Sequence, residues 1–189
     1  MRRAARGVTY DPIARGLHWL NTILAVIAIA LAYGISGTPR HSDAREWLLM
    51  LHGSVGIVIL ALMLLWASWR LGHPSPPLRP LLTRIEVWLA RATQAAIFVL
   101  FVAMPLTGYM ILAASGHAVS FFGIVAIPPL VPQSGRLAQV AIALHLTGQL
   151  LIYALVAMHV GAALMHGFIR RDGILERMLP KSAQMRRRT

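Results

Sequence analysis

Long apolar runs alternate with short polar ones along this chain, and four of the runs are about 20 residues or longer. They cover about residues 17–36, 47–70, 92–115 and 137–169. A helix rises 1.5 Å per residue, so about 20 apolar residues cross a hydrocarbon layer about 30 Å thick. Four near-uncharged runs of that length would not fit inside one small soluble core. The pattern therefore predicts an all-α fold, an integral membrane four-helix bundle, as a single membrane domain over residues 1–189. The basic start and apolar middle of residues 1–36 resemble a signal peptide. No small-residue cleavage site follows well, and His18-Trp19 at the mouth of the run is foreign to a signal, so the segment is expected to stay as the first span.

The connections carry their own signals. Residues 37–46 are short and polar. Residues 72–80, with Pro74, Pro76, Pro77 and Pro80, cannot be helical and suit an exposed link. Pro105 falls inside the third run, where a kink is expected. Residues 116–135 are uncharged and hold Pro128, Pro129 and Pro132, as a cap over one end of the bundle would.

Composition agrees with a membrane protein: 57% of residues are hydrophobic, 13% are charged and mean hydropathy is +0.65. The formal charge of +12 could suggest nucleic acid, but the cations sit in the flanks of the apolar runs, which is how topology is encoded. No nucleic-acid partner is expected. With four spans, fifteen of the 18 Lys and Arg residues fall on the side of the two termini, and only Arg40, Arg45 and Arg136 on the other. Both termini are thus expected in the cytoplasm, with the bundle in contact with membrane lipid. There is no cysteine, which excludes disulfides, thiolate zinc, iron–sulfur clusters and covalent haem attachment.

The chemistry lies in the histidines. The fourth run has no Asp, Glu, Lys or Arg between Arg136 and Arg170, yet carries His145, His159 and His166. Fourteen residues separate the first two, about 21 Å of rise and close to four turns, so they share a face at two depths. Placed by depth, His18 on helix 1 meets His159, and His52 on helix 2 meets His145. Ionisable groups within a span mark function by default. Two cross-helix pairs of imidazoles are what two membrane haems need as axial ligands, which puts two haems in the bundle core. Gly53, Gly56, Gly148 and Gly161 beside these histidines would let a flat ring approach the backbone, and also suit plain helix packing. His41, His73 and His117 fall in connections, where a solvated imidazole is the default. His166 lies about 10 Å beyond His159, too far for the same iron. It could hydrogen-bond a quinone, relay a proton or be an interfacial histidine.

These residues resemble the bacterial cytochrome b561 family of four-helix di-haem membrane proteins. The resemblance rests on Gly16-Leu17-His18-Trp19-Leu20, Leu51-His52-Gly53, Arg70 with Pro74-Ser75-Pro76-Pro77, Met104-Pro105-Leu106-Thr107-Gly108, the His145–His159 spacing and Arg177-Met178-Leu179-Pro180. It covers nearly the whole chain. It implies two non-covalent haem b groups ligated by His18/His159 and His52/His145, and electron exchange with quinone as substrate. It also implies a cytoplasmic-side quinone site near His166 and Arg79, where an arginine in place of lysine would alter any hydrogen bond to the quinone.

A haem with both axial positions filled leaves no place for oxygen chemistry, so electron transfer is the expected role. The reading is an oxidoreductase that passes electrons from a periplasmic donor to the quinone pool. Superoxide is one small anionic reductant within such a family, and Arg40, Arg45 and Arg136 could steer it. Pairing with haem propionates or lipid headgroups would account for those arginines equally. Two other readings stay open: a haem-containing anchor subunit of a dehydrogenase or hydrogenase with a partner redox subunit, and a histidine-using metal transporter.

Overall fold

A computed structural model describes residues 9–77 and 82–179. Four long helices dominate it: α1 (Pro12–Gly37), α2 (Asp43–Gly72), α3 (Arg84–Ala114) and α4 (Gly135–Leu164). All four are long and apolar enough to cross a membrane. Between α3 and α4 lie two short strands, β1 (Val119–Phe121) and β2 (Val125–Ile127), paired antiparallel. Beyond α4 the chain widens into a six-residue π-helix, Met165–Arg170, and then makes a 3₁₀ turn, Leu175–Arg177.

Each helix begins where a side chain can satisfy its free N–H groups. Asp11 caps α1 through the Ala14 N–H, with Pro12 in the first turn, where its missing donor costs nothing. Ser42 caps α2 and Ser134 caps α4. Thr83 and Glu86 form a reciprocal capping box, so α3 begins at Arg84 instead of near Ala92. The charges of Arg84, Glu86 and Arg91 therefore belong to the helix and not to the link before it. α3 runs unbroken through Pro105, whose ring nitrogen has no proton to give the preceding turn.

The helices alternate in direction, which gives the bundle a terminal end and a hairpin end. Contacts across the terminal end fix this arrangement. The Trp69 indole donates to Asp11 at 3.0 Å, the Trp19 indole to the Met178 carbonyl at 2.9 Å, and Arg15 to the Leu179 carbonyl at 2.8 Å. Arg177 is buried and donates to the Pro77 carbonyl at 2.8 Å. The segment after α4 is thus a strap laid over α1 and the end of the proline-rich link. At the other end Ser54, fully buried on α2, donates to the Met50 carbonyl and accepts from the Phe122 N–H at 2.8 Å, which fastens the hairpin onto the bundle. The uncharged segment after α3 is therefore a cap with two strands of its own, a local β pairing that its prolines gave no reason to expect.

Packing divides the helices into two close pairs, α1 with α2 and α3 with α4, joined by a looser contact between α2 and α3. The core at that contact is Val55, Ile59 and Met63 of α2, with Phe98, Phe101 and Val102 of α3 and Leu24, Ala28 and Leu31 of α1 against it. Backbone contact of α4 with α1 or α2 is sparse among the described residues. Large apolar side chains such as Ile23, Val26, Leu64, Val99 and Leu150 stay exposed. In water such a surface would aggregate, whereas in a bilayer it is the lipid-facing one.

Candidate haem sites

Where α4 stands off from α1 and α2, four half-buried histidines bridge the distance. His18 of α1 faces His159 of α4 with ring centres 6.3 Å apart, near the terminal end. His52 of α2 faces His145 of α4 with ring centres 6.2 Å apart, near the hairpin end. Imidazole nitrogens bind a metal at about 2.0–2.1 Å, and a ring centre lies about 1.1 Å behind its nitrogen. Two imidazoles on opposite sides of one metal therefore have centres about 6.3 Å apart. Both pairs sit at that spacing. Imidazoles hydrogen-bonded directly to each other would sit closer.

Hydrogen bonds at the hairpin end select which nitrogen is free. His52 Nδ1 lies 3.0 Å from the Ala28 carbonyl, an oxygen that can only accept, so Nδ1 carries the proton. The Thr107 hydroxyl spends its single proton on the Met104 carbonyl at 2.9 Å and lies 3.0 Å from His145 Nδ1, where its lone pair accepts. In both rings the bare Nε2 is left for a metal. An outer partner that orients a ligating imidazole in this way is the usual companion of a metal-binding histidine.

The same pair opens on a cavity of about 530 Å³, within the range that holds cofactors. Its wall is largely apolar, with Gly56, Pro105, Gly108, Gln149 and Tyr153 among its residues and Arg45 at the hairpin end. Gly108 leaves room for the ring there, since a Cβ on it would stand 3.3 Å from His145 Cε1. Among the described residues no group of three or more His, Cys, Asp or Glu side chains could hold a single ion. Donors that come in twos suit a metal already held by a four-nitrogen macrocycle. Non-covalent haem thus fits the residues present: paired neutral imidazoles, apolar walls and no cysteine.

Other residues singled out by sequence fall in different places. Gly56 packs on Pro105, and Gly148 lies so close to Met104 that a Cβ would meet its Sδ at 2.6 Å, so both serve contacts to α3. Gly53 lies against Val119 of the hairpin, and Gly161 has open space beside it. Arg45 donates to the Ile35 and Thr38 carbonyls and so caps the end of α1. His41, His73 and His117 are exposed, His73 stacked on Trp69. His166 is buried in the π-helix, its Nδ1 2.6 Å from Asp172. Arg79 lies outside the described residues. Thr107, Gly108 and Asp172 escaped the reading of the sequence as partners of histidines. Thr107 and Gly108 carried a signal, since both follow Pro105 on the helix that packs against α4.

Thr107 offers a direct test. Thr107→Val keeps the shape and removes the acceptor for His145 Nδ1–H. Haem at the hairpin end should then bind about 10–100-fold more weakly, read by titrating haem into apo-protein. Unchanged affinity would show that this hydroxyl does not orient the ring.

Comparison with known proteins agrees with this architecture. The family model for prokaryotic cytochrome b561 matches residues 9–181. A probable superoxide oxidase CybB of Yersinia pestis is 33% identical over 172 residues, which cover 91% of this chain and 96% of that protein. Cytochrome b561 homolog 2 of Escherichia coli (strain K12) is 31% identical over 174 residues, 92% of this chain and 93% of the relative. Cytochrome b561 homolog 1 of the same strain is 28% identical over 165 residues. With its four apolar helices, the chain belongs to the prokaryotic cytochrome b561 family, the multi-pass proteins of the bacterial inner membrane that bind haem b and carry electrons.

Proposed function

We propose that this protein carries two haem b groups, one between His18 and His159 and one between His52 and His145, and passes electrons across the membrane to quinone. The observation that carries the reading is the pair of ring spacings, 6.3 and 6.2 Å, at two levels of the bundle on one shared helix. Each haem, with both axial positions filled, would shuttle single electrons between its ferric and ferrous forms. The terminal end faces the cytoplasm, because fifteen of the 18 basic residues lie on that side.

The donor proposed at the outer, hairpin end is superoxide, in keeping with the activity in the name of the Yersinia relative. Two superoxide anions would each give one electron and leave as dioxygen. At the cytoplasmic end one quinone would take those two electrons and two protons and leave as quinol. Arg40, Arg45 and Arg136 set a positive potential at the outer end that raises the local concentration of an anion. The apolar walls around His52 and His145 would keep water from a haem held there, and the hydrogen bonds to Nδ1 hold both imidazoles in the ligating tautomer. At the cytoplasmic end His166 takes the part of a hydrogen-bonding and proton-delivering group for the quinone, with Arg79 as its companion from the link.

A haem count tests the proposal. The purified protein should show a reduced-minus-oxidised b-type spectrum and two haem b per chain by the pyridine assay. A single haem per chain would overturn the two-pair assignment, and none would return the histidines to a metal-carrier reading.

A further inference from the structure

The most elaborate local structure outside the haem pairs surrounds His166. The α-helix gives way to a π-helix at Met165–Arg170, a rare form that concentrates at functional sites. Arg171 then takes a left-handed conformation, φ 49° and ψ 41°, which costs a side chain with a Cβ energy that the surrounding contacts must offset. That turn folds the chain back so that Asp172 reaches His166 Nδ1 at 2.6 Å. The strap then lies directly on the backbone, since a Cβ on Gly167 would fall 2.3 Å from Leu175 Cδ2.

Asp172 has little freedom. Its Oδ2 meets both His166 Nδ1 and Arg170 Nε, the latter at 3.4 Å, and its Oδ1 accepts from the Ile174 N–H at 3.2 Å. Arg170 continues the chain to Glu86 of α3, whose other carboxylate oxygen accepts from the Thr83 N–H at 2.8 Å. Four side chains thus run in line from the start of α3 to His166: Glu86, Arg170, Asp172, His166. A carboxylate that accepts from Arg170 and the Ile174 N–H also accepts from His166, so the proton shared at this contact belongs to His166 Nδ1.

We infer that Asp172 is a positioning residue that fixes His166 as the Nδ1–H tautomer and so dedicates Nε2 to proton delivery to the quinone. The inference rests on the quinone reading of His166 given above. When His166 is doubly protonated, Asp172 stabilises the imidazolium. Nε2–H then gives its proton to a carbonyl oxygen of the quinone, which takes its electrons from the haems. The ring returns to neutral Nδ1–H imidazole, and Nε2 regains a proton from cytoplasmic water. Asp172 orients the ring throughout, as the carboxylate of a His–Asp pair does. Arg170 and Glu86 hold that carboxylate in place and tie it to α3.

The test uses the full-length, haem-loaded protein in lipid nanodiscs, with Asp172→Asn, Asp172→Glu and His166→Gln. Ring-¹⁵N histidine spectra of the dithionite-reduced protein should show one signal, lost in His166→Gln, as an Nδ1–H tautomer. In Asp172→Asn that signal should change its tautomer. Haem content and haem reduction by the donor should be unchanged in Asp172→Asn, while haem re-oxidation by ubiquinone-1 slows about 10²-fold. Asp172→Glu, which keeps a carboxylate, should recover part of that loss. If His166→Gln re-oxidises at the wild-type rate, the quinone reading of His166 falls. If His166→Gln is slow but Asp172→Asn is not, only the positioning inference falls. Loss of haem or of folded protein in both Asp172 variants would also overturn it, by reducing Asp172 to a structural clasp.

Discussion

His145→Ala should strip the outer haem and spare the inner one, so that the pyridine assay falls from two haems to about one per chain. The expectation follows from how little else can hold that group. There is no cysteine for a covalent bond, and the cavity wall offers mainly apolar contact. An iron left with one axial nitrogen would depend on His52, whose ring is hydrogen-bonded to the Ala28 carbonyl. Water would enter the space left by the imidazole and compete for the iron. His52→Ala should behave alike, because the two rings face each other across one site. Added imidazole should restore part of the missing haem in either variant, since it refills the space the side chain occupied. The inner pair belongs to other turns of α1 and α4, about 21 Å away along the helix, and should keep its spectrum. Retention of both haems in His145→Ala would refute the pairing, and loss of both would refute the independence of the two sites.

His159→Ala should have the larger functional effect although it also removes only one haem. The outer haem would still accept electrons from its donor, because His52, His145 and Thr107 are untouched. Its electrons would then be stranded at the hairpin end, a helix rise of about 21 Å from the level of His159. The expected result is a single rapid reduction of the remaining haem followed by no turnover with quinone. Stopped-flow traces at the haem band, with and without quinone, separate this from a protein that fails to fold. His18→Ala should match it. Continued quinone reduction at the normal rate in His159→Ala would place the quinone at the other end of the bundle and reverse the proposed direction of flow.

The contrast between these variants and Thr107→Val illustrates a general point about such sites. Ligands decide whether the cofactor is present, whereas their hydrogen-bond partners decide how firmly it is held. In the proposed scheme α4 contributes one ligand to each level. α3 contributes no ligand in this scheme, yet through Thr107, Gly108 and Pro105 it shapes the outer site, and through Glu86, which meets Arg170, it braces the segment that carries His166.

Much of this architecture was legible without coordinates. Four charge-free runs can exist only as spans, because no core of this size could cover them. Depth follows from residue count along a helix of known rise, so His18 could be matched with His159 and His52 with His145 before any packing was known. The apolar run starts the third span near residue 92, and the capping box of Thr83 and Glu86, a Thr followed three residues later by Glu, is the signal that this reading missed. What resisted was everything that depends on contacts between distant segments. Nothing local reveals that the Ala28 carbonyl would meet His52, or that Thr107 would meet His145, 38 residues away. The short strands after Gly116 are fastened to buried Ser54 of α2, a contact that no local pattern reveals. The π-turn at Met165–Arg170 has no signature in its sequence, since helical periodicity continues through it. The clasp of Arg170 on Glu86 and the fold-back at Arg171 accompany that wider turn and bring Asp172 to His166. Periodicity and charge along one chain determine which segments cross the membrane and at what level each imidazole lies. Which nitrogen of each imidazole is free depends on a neighbour from another helix, and only tertiary packing supplies that neighbour.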